Sequence, residues 1–129
     1  MAVLNSTIIT GDLSVSGTVT ATTYNTFSDK DLKENLRTFV LNTSILDLPV
    51  YIYDYKASGM PKNQVGCLAQ DLKEICPELV SINGEGFLTI NEIKLVYPLL
   101  LEVKNQKTEL KNLQEEIKKL KAEIEALRK

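Results

Sequence analysis

The chain has 129 residues, enough for one domain with extensions, and a hydrophobic fraction of 43% that is globular in composition. A formal net charge of −2 supplies no broad electrostatic attraction for nucleic acid or acidic lipid, so neither is expected as a partner, and no apolar run approaches the ~18 residues of a membrane span. Histidine is absent, which excludes a Cys-His nucleophile, and Cys67 and Cys76 lack metal-ligand spacing, so no metal and no other cofactor is expected.

Residues 1–27 read as the end of a fibrous β-stem. From Leu13 to Ala21 apolar and small polar residues alternate with the period of a strand, punctuated by turn glycines at Gly11 and Gly17. Asp12-Leu13-Ser14-Val15 is echoed by Thr18-Val19-Thr20-Ala21, as in short fibrous repeats. One such strand pair cannot bury its own apolar face, whereas three chains wound together can. A Thr-rich linker is the competing reading. The stretch after Met1 has neither the charged start nor the long apolar run of a secretory signal.

Residues 28–91 read as a compact unit that opens on Ser28-Asp29-Lys30-Asp31-Leu32-Lys33-Glu34-Asn35-Leu36. As a plain helix start, Ser28 is the N-cap and Asp31 completes a capping box, with Asp29 and Asp31 at the positive end of the helix dipole. Leu32 and Leu36 would then share one buried face. Beyond this joint, Thr38-Phe39-Val40-Leu41 and the Val50–Tyr55 run carry the β-branched and aromatic residues of strands, separated by Asp47-Leu48-Pro49. Tyr51, Tyr53 and Tyr55 alternate on one face and are expected in a core or an interface between chains.

Val65-Gly66-Cys67-Leu68 reads as a further short strand, and Gln70 to Ile75 as a helix ended near Pro77. Both cysteines are expected to be buried structural thiols, which would suit assembly in a reducing cytoplasm. Asn83-Gly84-Glu85-Gly86 is a turn between Leu79–Ile82 and Phe87–Ile90, predicting a hairpin. These glycines are not a phosphate loop, since no Gly-Lys-Ser/Thr follows.

Residues 92–129 carry heptads. Val96, Val103, Leu110, Ile117 and Ile124 fall at a; Leu99, Gln106, Leu113, Leu120 and Leu127 fall at d. Glu116 with Lys121 and Glu123 with Arg128 form the g-to-e pairs of a parallel, in-register coiled coil. Ile at a with Leu at d favours two strands, a preference that Leu110 at a and Gln106 at d blur, while the β-stem points to three. A homotrimer is the expectation, with a dimer as the alternative. The fold class is therefore α+β: a short β-stem, a small mixed β/α unit and a long helix forming a parallel trimeric coiled coil.

Ser-Asp-x-x-Leu-Lys-x-x-Leu after a β-like stem resembles the start of the endosialidase-type intramolecular chaperone domain of phage tail spikes, fibres and neck appendages. Val65-Gly66-Cys67-Leu68-Ala69-Gln70-Asp71 is similar to that family's Gly-x-x-Ala-Gln-acid segment, and Pro77-Glu78-Leu79-Val80 and the terminal helix follow in the family's order. The resemblance implies a self-cleaving dyad of Ser28 and Lys33 acting on the Phe27–Ser28 bond, with Asp29 and Gln70 as site support. Gln70 reads equally well as an ordinary solvent-facing residue in the first turn of its helix. The family often has a basic residue where Asp31 stands, and some members use a His; here Lys33 would act without one.

The implied function is to trimerise and register the upstream β-stem of the parent protein and then to detach by autoproteolysis. Assembly would take place in the host cytoplasm, leaving the parent protein in the virion tail or appendage. The competing function is a permanent trimerisation or receptor-contacting tip that never cleaves.

One geometric condition comes from physics. Residues five apart on an α-helix lie ~140° apart around the axis. Ser28 and Lys33 of one chain therefore meet only if their segment is not an α-helix; otherwise Lys33 must reach a neighbouring chain.

Overall fold

The computed structural model describes residues 1–129. The chain divides into two compact units: residues 1–38 with 56–60, and residues 39–55 with 61–129.

In the first unit, residues 1–27 contain neither strand nor helix and every side chain is exposed. The chain bends at Thr10–Gly11 and Ser16–Gly17, at the glycines expected to turn it, and Gly11 has φ +120°. The expected strands are thus not formed within one chain. The alternation is present, but a strand needs a hydrogen-bonded neighbour, and this stretch has none inside its own chain. The one regular element of the unit is a 3-10 turn at Lys30–Leu32.

The second unit is α+β. Strands β1 (Tyr51–Tyr53) and β2 (Gln64–Gly66) pair antiparallel, with Tyr51 opposite Gly66 and Tyr53 opposite Gln64. Helix α1 (Ala69–Ile75) follows, closed by a bond from the Cys76 N–H to the Leu72 carbonyl at 2.7 Å. Pro77 lacks an N–H and restricts Cys76, so the chain leaves the helix there and makes a 3-10 turn at Pro77–Leu79. Strands β3 (Val80–Ile82) and β4 (Leu88–Ile90) form the expected hairpin, Val80 opposite Ile90. Its loop is organised by Asn83, whose side-chain oxygen accepts from the Glu85 N–H at 3.0 Å and the Phe87 N–H at 2.9 Å. Gly86 supplies the positive φ of +88° that closes the loop.

Helix α2 runs over Val96–Leu127, 32 residues, entered through a 3-10 turn at Ile93–Leu95. Pro98 lies in its first turn, where a missing N–H costs nothing, and is fully buried. No helix of the chain is long and apolar enough to cross a membrane.

The core of this unit is small. Ile45, Leu72 and Cys76 are buried, and Phe39, Leu41, Ile75 and Leu79 lean on them half-covered. Phe39 and Leu41 thus serve the core without forming the strand expected at 38–41, because apolar patterning reports burial and not pairing. Leu68 lies outside the strand, at the N-cap of α1, and is exposed. Tyr51 and Tyr55 are also exposed within the single chain, and only Tyr53 is half-buried. Its ring meets Tyr55 edge-on, centroids 5.3 Å apart, and packs where a Cβ on Gly66 would stand 3.3 Å from it. Gly66 is what lets the Tyr53 ring lie across β2.

Candidate active site: the Ser28–Lys33 turn

The site is built by one tight turn between two extended residues. Asp29 is extended (φ −67°, ψ 135°), and its side-chain oxygen accepts from the Asp31 N–H at 2.9 Å. The Leu32 N–H donates to the Asp29 carbonyl and the Lys33 N–H to the Lys30 carbonyl, both at 3.1 Å. Lys33 is extended again (φ −120°, ψ 143°). The helix-start reading is corrected here: Asp29, not Ser28, is the cap, and the element is a 3-10 turn and not an α-helix. A 3-10 turn takes only ~3 residues per turn.

The one-residue shift has a chemical consequence. Ser28 does not spend its hydroxyl on capping, and Lys33 Nζ donates to Ser28 Oγ at 2.8 Å. The geometric condition is therefore met within one chain, because the segment is not α-helical. Just beyond, Asn35 takes the left-handed conformation (φ 55°), which Asn tolerates, and Arg37 donates to its carbonyl at 3.3 Å.

Both members of the pair are exposed in the single chain. So are the apolar residues around them: Phe27 at 91%, Leu32 at 69% and Leu36 at 75%. Leu32 and Leu36 accordingly do not form a buried face within one chain, since a 3-10 turn this short gives them no common stripe. A hydroxyl and an amine in direct contact can exchange a proton, which is the elementary step of a serine nucleophile activated by a lysine base.

Gln70 belongs to the other unit, where it stands exposed in the first turn of α1. Next to it Asp71 has one carboxylate oxygen buried without a hydrogen-bond partner. The thiols divide: Cys76 is buried, whereas Cys67 is only half-buried, a correction to the expectation for the pair. Burial pushes both thiols up, and the Glu78 carboxylate, 3.5 Å from the Cys76 sulfur, adds to this for Cys76. Tyr53 is pushed up to about 12, first by its hydrogen bond with the Tyr55 hydroxyl 3.4 Å away, then by burial and by the Glu92 carboxylate. Glu92 was not singled out in the sequence, where nothing in its spacing links it to Tyr53. No group of three or more His, Cys, Asp or Glu side chains is placed to hold a metal ion.

Residues 28–81 match the family model described as chaperone of endosialidase. No curated protein matches the chain. The matched segment opens at Ser28 itself, includes the Ser28–Lys33 turn, β1, β2 and α1, and ends inside β3. Such a match supports the resemblance of residues 28–81 to the endosialidase-type intramolecular chaperone domain and is consistent with a chaperone role.

Proposed function

We propose that the chain is the intramolecular chaperone of a phage appendage or tail-spike protein. It trimerises and registers the preceding stem through its terminal helix, then releases itself by cutting Phe27–Ser28. The observation that carries the reading is the 2.8 Å contact of Lys33 Nζ with Ser28 Oγ at the point where the family match begins.

In the proposed reaction Ser28 Oγ gives its proton to Lys33 Nζ and bonds to the Phe27 carbonyl carbon. The C–N bond breaks, and the proton passes to the Ser28 nitrogen. Water then hydrolyses the resulting ester, leaving a Phe27 carboxylate and a Ser28 amine. A lysine base must be neutral, and a free lysine titrates near ~10.4, so working near neutrality requires a pKa lowered by about 3. Burial and cationic neighbours lower it. Because Lys33 is exposed in the single chain, packing of neighbouring copies over the Phe27–Leu36 surface supplies the burial, and cleavage waits on assembly.

Helix α2 supports this reading through its uncovered face. Val96, Val103, Leu110, Leu113, Ile117, Leu120, Ile124 and Leu127 are all at least half exposed, and Leu99 is 47% exposed. An apolar stripe of this length on a helix needs partner helices. Pairing stems across chains is slow, because the entropy of closure precedes its reward. A parallel coiled coil raises the effective concentration of the stems and fixes their order. Cutting after assembly leaves the stem kinetically trapped.

Intact mass of denatured protein, beside Ser28→Ala and Lys33→Ala, tests the dyad. The wild type yields a fragment beginning at Ser28 and both variants remain whole. A trimer of the wild type that stays whole contradicts the catalytic reading and leaves a permanent trimerisation module, the reading favoured by the exposure of both side chains.

A further inference from the structure

We infer that Gln106 is the register lock of the assembled chaperone: three Gln106 side chains, one per copy, meet in one polar layer and hold the helices in register. The inference rests on the trimeric coiled coil proposed above and deepens it.

Between Val96 and Leu127 every a and d position is Val, Leu or Ile except Gln106. It stands on the uncovered stripe of α2, exposed in the single chain, and borders a shallow groove with Val103, Leu110 and Gln114. The occupant of this face is a further copy of this chain. Charge supports that choice, since Glu116 and Glu123 at g match Lys121 and Arg128 at e of a parallel neighbour. These pairs do not fix the order of the helices alone. They recur every heptad, so a helix displaced by seven residues again sets Glu against a basic residue over part of the length.

The apolar layers are no more discriminating, because Leu99, Leu113, Leu120 and Leu127 are alike at d. Gln106 breaks this degeneracy. In register, each amide has two others at its own level, and each can both donate and accept. Displaced by a heptad, a Gln106 faces Leu99 or Leu113 of its neighbours and is buried without a partner, which is the costly arrangement for an amide. A polar residue at one interior position of a coiled coil acts in this way, specifying register at a cost in stability.

The test uses the full chain. One preparation carries Leu120→Cys and the other Leu127→Cys; the two are unfolded, mixed, refolded and oxidised, and disulfides are mapped by peptide mass. With Gln106 present, 120–120 and 127–127 links form and the cross-link between positions 120 and 127 stays at background. With Gln106→Leu added to both, the trimer persists with a raised thermal midpoint. The 120–127 link then rises roughly tenfold or more, the factor by which one unpaired buried amide disfavours a displaced register. Gln106→Asn, which keeps an amide, restores the low background. Unchanged links in a Gln106→Leu trimer overturn the register lock. If native mass finds the chain with wild-type Gln106 monomeric, the coiled-coil reading itself has failed, and the register lock with it.

Discussion

Ser28 and Lys33 meet because the backbone between them makes one tight turn and extends again on both sides. The residue that shapes this turn is Asp29, whose carboxylate takes the Asp31 N–H. Removing a cap of this kind costs about 1 kcal/mol. Asp29→Ala therefore slows cleavage roughly fivefold, whereas Asp29→Asn, which still offers an oxygen to the Asp31 N–H, cleaves at the wild-type rate. The fraction cleaved against time, read by intact mass, separates them. Equal slowing in both variants would show that the charge of Asp29 matters and not its cap. Ser28 and Lys33 stood out only through the resemblance of their segment to the endosialidase-type chaperone domain, and the cap did not stand out at all. Ser-x-x-acid fits either Ser28 or its neighbour as the first capping oxygen, and only the backbone decides.

At the scale of elements, the hairpin β3–β4 was legible because its loop chemistry is local: Asn83 and Gly86 close it whatever surrounds them. Helix α2 was legible because its period is sustained. The stem was not, since alternation at 13–21 patterns a face that finds no strand partner within its own chain. The run at 38–41 was misread because Phe39 and Leu41 are apolar for the core's sake and pair with nothing.

The strands β1 and β2 carry a consequence of their own. Tyr53, held up to about 12 against an ordinary 10.0, is raised above its unfolded value, as are Cys67 and Cys76 above 9.0. A raised acid keeps its proton longer in the folded state, so the unfolded state loses protons first and stability falls with rising pH. These three groups leave the thermal midpoint unchanged between pH 7 and about 8.5 and lower it through pH 9 to 12, taking those ordinary values as the onset. Tyr53→Phe removes the part of the decline that lies above pH 10.0. A midpoint flat across this range contradicts the assignment.

For the whole molecule the decisive fact is how little one chain buries. Its buried side chains are Ile45, Leu72, Cys76 and Pro98, while Phe27, Leu36, Phe87, Ile93 and the stripe of α2 lie open. Apolar surface of this extent marks an interface to be covered by association. The Ser28–Lys33 pair sits within such a surface, already in contact but unshielded. In the proposed reaction, chemistry that waits for shielding makes cleavage a report of assembly.

The measurement that tests this most directly is a dilution series of full-length protein, with native mass for the oligomer and denatured mass for the cut. The cleaved fraction should rise with the trimer fraction, and a chain carrying Leu113→Asp and Leu120→Asp, monomeric at every concentration, should keep its full mass. A monomeric variant that cuts Phe27–Ser28 at the wild-type rate would contradict the coupling of assembly to cleavage.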